Sequence, residues 1–257
     1  MIELRSVSVG YGKQNVLKNV SLNFEKGRLI GIIGANGCGK STLLKTVLGM
    51  VPAEDGNISV DGKSLDSMSR VEVARKISYL AQSKSAPDMT VEQLVLHGRF
   101  PHLSYPRRYT KADRDIARAA MEQAGVAAHA KKSMQSLSGG MRQAAYIAMA
   151  LAQDTEYVFL DEPTTYLDIS HQLELMRLLR GLTDGGKSIV AVMHDLPIAF
   201  TFCDSIVLLD GGEVAAHGSP AELCARDEIE RVFGISLECR EDKSYNYKLN
   251  CIGKRYV

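Results

Sequence analysis

The chain has 257 residues, 45% of them hydrophobic and 24% charged, with a formal net charge of +1. That length is ample for one cored unit with a subdomain, and the near-neutral balance, with no basic stripe interleaved with aromatics, argues against a nucleic-acid partner. No apolar run approaches the roughly 20 residues of a membrane span, and the five scattered cysteines form neither a disulfide framework nor a Cys-x-x-Cys metal site.

In chain order, the first five residues lack the charged-then-apolar pattern of a secretion signal and read as a strand. The apolar run 29–33 reads as a buried strand. It leads into Gly34, Ala35, Asn36, Gly37, Cys38, Gly39, Lys40, Ser41 and Thr42, and then into an apolar-periodic stretch, 43–48, that reads as a helix. A strand, a glycine-rich turn and a helix start aim backbone N–H groups and a helix dipole at one place. That is a Walker A loop for a polyphosphate. Gly34, Gly37 and Gly39 permit close backbone approach, Lys40 suits the β- and γ-phosphates, and the Ser41 hydroxyl, with Thr42 beside it, suits Mg²⁺. Cys38 reads most simply as a small tolerated residue, while its place near that helix start could lower its pKa and make ATP binding sensitive to thiol reagents, with N-ethylmaleimide expected to inhibit and ATP to protect.

Residues 57–62 end in Asp-Gly and predict a hairpin turn. Residues 77–81 read as a strand ending at Gln82, and from about 85 to 153 the chain turns helical, with a charged and Ala-rich helix over 112–124. The segment 137–141, Leu-Ser-Gly-Gly-Met, precedes a helical run to 152. Ser138 is a plausible N-cap, and Gly139 and Gly140 bare the backbone, which makes a second anion-seeking helix start. One nucleotide has one triphosphate, so this start makes sense if it addresses the nucleotide of a second copy in a two-fold pair.

Residues 157–160 are apolar and run into Asp161 and Glu162, a buried parallel strand whose carboxylates reach the ligand crevice. Asp161 suits Mg²⁺, and Glu162 suits the water that attacks the γ-phosphate. Short buried strands then alternate with helices to about 234: 188–193 closes at His194, and 205–210 ends in a Gly-Gly turn. The alternation at 245–249 suggests one more short strand. The helical part is thus inserted into one α/β core.

Taken together these residues resemble the ATP-binding cassette (ABC) ATPases, over nearly the whole chain and in the family's order. Tyr11 resembles the aromatic that stacks on adenine, Gln82 the Q-loop glutamine that senses Mg²⁺ and water, 137–141 the signature motif, 166–168 the D-loop with Asp168, and His194 the switch histidine at the γ-phosphate. Singly, Tyr11 also fits a turn aromatic, Gln82 a solvated strand end and Asp168 a helix cap; their co-occurrence carries the resemblance. The signature departs from the family pattern at Met141, where Gln is usual, and at Ala144, where Arg is frequent just after the motif. With Ser138 and two glycine backbones as the main contacts, that implies a modest change in rate or affinity.

The resemblance implies an α/β P-loop core with an antiparallel β subdomain and an inserted helical subdomain: residues 1–84 and 154–234 as core, 85–153 as the helical part, 235–257 as a tail. It implies ATP and Mg²⁺ as ligands and an active ATPase that pairs as a homodimer. Segments 96–102, 147–154 and 162–172 are similar to importers of iron-siderophores, haem and cobalamin. They imply a peripheral subunit on the cytoplasmic face, bound to an integral membrane permease and indirectly to a substrate-binding protein. The rival expectation is a soluble ABC ATPase acting on ribosomes, DNA or iron–sulfur assembly.

Overall fold

A computed structural model describes residues 1–12, 14–82, 86–165, 167–239 and 245–248. The chain opens with two long strands, β1 (Ile2–Tyr11) and β2 (Gln14–Phe24), paired antiparallel. Their buried residues, Ile2, Leu4, Val7 and Val9 against Phe24, Leu22, Val20 and Leu17, keep period two except for one step of three in each strand. Ser6 and Asn19 occupy those steps at positive φ, and the resulting bulges return the apolar face to the core.

Next come β3 (Leu29–Gly34), α1 (Lys40–Val47), β4 (Asp55–Val60) and β5 (Lys63–Ser64). β4 and β5 are joined through Asp61 and Gly62, both at positive φ, as the expected Asp-Gly hairpin requires. They complete an antiparallel sheet of order β2-β1-β4-β5. The region before residue 84 also holds α2 (Arg70–Lys76), a helix for which the apolar spacing gives no expectation. Its signal was a capping box: Ser69 Oγ accepts from the Glu72 amide, and the Glu72 carboxylate accepts from the Ser69 amide.

After β6 (Ile77–Leu80) the chain runs through α3 (Val91–His97), α4 (Lys111–Gln123) and α5 (Gly139–Ala152), which pack on one another, before β7 (Tyr157–Asp161). There follow α6 (Ile169–Asp184), β8 (Ser188–Val192), α7 (Leu196–Phe202), β9 (Ser205–Asp210), β10 (Glu213–Gly218), α8 (Pro220–Cys224) and α9 (Glu228–Phe233). A separate two-stranded sheet pairs β11 (Ser236–Cys239) with β12 (Tyr245–Lys248), so the alternation after 244 does add a strand; Leu249 lies outside the described residues.

The second large sheet has the order β10-β9-β3-β8-β7-β6, parallel except for β10. It is covered on both faces, which is why β3, β7 and β8 are buried throughout. Along β3 the side chains alternate between two cores: Ile30 and Ile32 join the antiparallel sheet and α1, whereas Leu29 and Ile33 join the helices. Phe24 meets Phe159 edge-on across the first core, with ring centroids 5.7 Å apart.

A charge cluster fastens the hairpin turn to this frame. The Asp61 carboxylate accepts from Lys26, Lys76 and the Tyr157 hydroxyl, each at 2.8 Å. Burial alone would raise its pKa, but these bonds outweigh it and hold Asp61 well below the usual carboxylate range.

Candidate functional site

The parallel register brings the C-terminal ends of β3, β6, β7 and β8 to one edge of the sheet, the place where open α/β sheets bind ligands. Gly34 ends β3, Gln82 follows β6, Asp161 ends β7 with Glu162 directly after it, and His194 follows β8. Four segments far apart in sequence thus meet at one crevice.

In the phosphate loop, Ala35, Asn36 and Gly37 form an exposed lip, while Cys38, Gly39 and Lys40 are buried beneath it and Ser41 and Thr42 are half-buried. Two glycines are sterically required. A Cβ on Gly34 would run into the Leu209 carbonyl, and Gly39, the residue before α1, sits at φ 106° with Leu17 Cδ2 only 2.7 Å from where a Cβ would lie. Lys40 is 6% exposed, and its ammonium donates to the carbonyls of Gly34 (2.8 Å) and Ala35 (2.9 Å), which hold the cation at the mouth of the loop.

Ser41 Oγ donates to Asp161 Oδ1 at 3.0 Å, and the Tyr79 hydroxyl donates to Asp161 Oδ2 at 3.1 Å. Burial, and then the Asp161 charge, push the Tyr79 phenol up, so it stays a donor. A hydroxyl and a carboxylate in contact are hard oxygen donors, a set that fits Mg²⁺. Sequence reasoning missed Tyr79, because a tyrosine within a strand carries no motif. Only the pairing of β6 with β7, which puts Tyr79 opposite Phe159, brings it near Asp161.

Glu162 sits at φ 54°, a left-handed conformation that costs a non-glycine residue about 1–3 kcal/mol. Three partners hold it. Its Oε1 lies 2.7 Å from His194 Nε2, and its Oε2 accepts from Gln82 Nε2 at 2.6 Å and from Thr165 Oγ1 at 3.2 Å. Gln82, Glu162 and His194 therefore form one group, and Thr165 is a fourth member that its spacing of three from Glu162 could have suggested.

Cys38 corrects one expectation. Burial pushes its thiol pKa up, and the Lys40 charge offsets this only in part, so the helix start does not produce a reactive thiolate.

The remaining predicted residues lie elsewhere. Tyr11 ends β1 and is 54% exposed. Ser138 is the N-cap of α5, its Oγ accepting from the Met141 amide at 3.3 Å, with Gly139 exposed beside it. Asp168 is the N-cap of α6, accepting from the His171 amide at 2.9 Å. Tyr166, the first residue of the expected D-loop, lies outside the described residues. Among the described residues, no hydrogen bond or ion pair joins Ser138, Gly139, Gly140 or Asp168 to the group around Lys40 and Asp161.

The model of the "ABC transporter" family matches residues 17–165. The chain is 42% identical to the ferric enterobactin transport ATP-binding protein FepC of Escherichia coli (strain K12), over 92% of this chain and 88% of that one. It is 39% identical to the iron(3+)-hydroxamate import ATP-binding protein FhuC of Bacillus subtilis (strain 168), over 95% and 92%. Among solved structures, the dimeric structure of MJ0796, a bacterial ABC transporter cassette, superposes with a TM-score of 0.75 at 28% identity, covering 86% of this chain and 99% of that one.

Proposed function

The chain belongs to the ABC transporter family of ATP-binding subunits, and on that premise we propose that it hydrolyses ATP to power uptake of an iron chelate of the siderophore class through a membrane permease. The observation that carries this reading is the likeness, along more than nine-tenths of the chain, to subunits named for ferric enterobactin and iron(3+)-hydroxamate transport. Those relatives are transport subunits, which disfavours a soluble ATPase acting on ribosomes, DNA or iron–sulfur assembly.

Within this reading the phosphate loop from Gly34 through Asn36, Gly37 and Cys38 to Thr42 wraps the triphosphate. Lys40 exchanges its loop carbonyls for phosphate oxygens, and Tyr11 stacks on adenine. Ser41, Asp161 and Gln82 would hold Mg²⁺, which supplies charge neutralisation at the phosphates when bound. Glu162 orients the attacking water and takes its proton as the water oxygen bonds to the γ-phosphorus and the bond to the ADP oxygen breaks. His194, 2.7 Å from Glu162, holds that carboxylate in place and faces the γ-phosphate.

Residues 1–84 and 154–234 act as the core, 85–153 as a helical arm hinged near Gln82, and 235–257 as a tail. Two copies pair head to tail, so that Ser138, Gly139, Gly140 and Asp168 of one meet the ATP on the other. Hydrolysis removes the bridging phosphate and the pair opens; each tenfold preference of the closed pair for ATP over ADP contributes about 1.4 kcal/mol to that stroke.

No helix among the described residues is long and apolar enough to cross a membrane; in the proposed reading the permease is the partner at the membrane. A groove of about 470 Å³, lined by Leu48, Met50, Arg70, Ala74, Pro101 and Gln153, opens between the core and the helical arm. Met50 in its lining is exposed, as are Val71 and Phe100, the chain neighbours of its lining residues Arg70 and Pro101. Apolar side chains at such a groove suit a cytoplasmic helix of the permease, and this supports a peripheral subunit at the cytoplasmic face in the proposed reading.

The test is to capture tagged Glu162→Gln protein with ATP and Mg²⁺ from solubilised membranes. A co-purifying polytopic permease, with an iron-chelate-binding protein encoded beside it, is expected. Ribosomal or other soluble partners with no membrane protein would overturn the reading.

A further inference from the structure

The signature loop and the Asp168 turn start two different helices, α5 and α6. Between these starts lies a cavity of about 520 Å³, bordered by Ser138, Met141, Ile147, Leu167 and Leu175. It opens to solvent along one side, so α5 and α6 are not packed against each other along it. The imidazole of His171 spans the gap at one point.

On one edge of the ring, Nδ1 lies 2.8 and 2.9 Å from the two carboxylate oxygens of Asp168. An ionised carboxylate only accepts, so Nδ1 carries the proton and donates. The His171 amide and ring hold Asp168 below the usual carboxylate range. The opposite edge of the ring abuts bare backbone at Gly140: a Cβ built there would lie 2.5 Å from His171 Cδ2 and 3.0 Å from Nε2. Gly140 therefore needs to be glycine on account of this ring as well as any phosphate. The ring, pinned on one side by a carboxylate and pressed on the other against the signature backbone, passes a displacement of either loop to the other.

We infer that His171 is a positioning residue that locks the signature loop to the Asp168 turn, so that both meet the partner copy's nucleotide as one rigid unit. This rests on the head-to-tail pairing proposed above. His171 touches neither ATP nor the reacting atoms in that arrangement. Its removal would therefore act on pair closure and leave ATP binding to a single copy intact.

The experiment is light scattering of full-length Glu162→Gln protein across an ATP titration, alone and combined with His171→Ala or His171→Gln. Binding of a fluorescent ATP analogue to dilute monomer is measured in parallel. The expected result with His171→Ala is an ATP midpoint for dimer formation raised about tenfold, the size of a typical coupling between contacting residues. Monomer affinity is expected to stay within about twofold. His171→Gln, which keeps a donor within reach of Asp168, should recover most of the shift, and it also serves as the folded comparison if the alanine variant is unstable. An unmoved dimer midpoint, an equal loss of monomer affinity, or no recovery with Gln would each overturn the coupling. Glu162→Gln protein that stays monomeric at saturating ATP would overturn the pairing itself, and the coupling with it.

Discussion

Cys38 illustrates how one residue's chemistry is decided by neighbours on other strands. Its position before a helix start argues for a thiolate, yet its sulfur packs where a Gly34 side chain would otherwise stand, and desolvation outweighs the Lys40 charge. With a raised pKa and 7% exposure, Cys38 should be alkylated by N-ethylmaleimide about tenfold or more slowly than the exposed Cys239 at pH 7, with the rate rising as pH rises. Timed labelling followed by peptide mass spectrometry checks this; equal rates at the two sites would contradict the burial argument. Glu162 shows the reverse case. Its place at the sheet edge was readable from the apolar strand before it, but its left-handed backbone and two of its three hydrogen-bonding partners were not, since Gln82 and His194 lie 80 and 32 positions away.

At the scale of elements, local signals succeeded where they were complete within a few residues. The Asp61-Gly62 turn, the Ser138 cap and the strand–loop–helix around Lys40 each formed as their spacing predicts. The helix α2 was overlooked because its apolar face is short, with Val73 its one buried residue, although the Ser69 and Glu72 capping box was present. The Asp61 cluster ties that helix, the hairpin and β7 together through Lys76, Lys26 and Tyr157. Because the folded-state pKa of Asp61 is depressed, its contribution to stability is complete above the unfolded carboxylate value of about 3.9 and fades as pH falls below it. Asp61→Asn should therefore lower the urea midpoint at pH 7, and the gap from the unmodified protein should shrink below about pH 4. A gap independent of pH would show that the charge is not what stabilises the turn.

For the whole molecule, the arrangement of the crevice makes nucleotide and stability one equilibrium. ATP at a hundred times its dissociation constant stabilises the folded state by about 2.7 kcal/mol, and the proposed pairing would add a dependence on protein concentration. Thermal melts of Glu162→Gln protein should rise with ATP and rise further when the protein is concentrated, and Lys40→Ala should abolish both effects. A rise with ATP that is blind to protein concentration would leave nucleotide binding intact and remove the pair.

The sequence by itself determined the glycine-rich loop between β3 and α1, the strand that runs into Asp161 and Glu162, the Ser138-capped start of α5 and the order in which they occur. Each of these is a short-range pattern, set by glycine sterics, helix termini and alternation of apolar residues within one element. Only the tertiary structure decided that Tyr79 reaches Asp161, that Gln82 and His194 converge on Glu162, that Cys38 is desolvated, and that His171 bridges Asp168 and Gly140. Those relations depend on strand order in a parallel sheet and on how two helices stand apart around a cavity, and chain positions far from one another leave no periodic trace of such meetings.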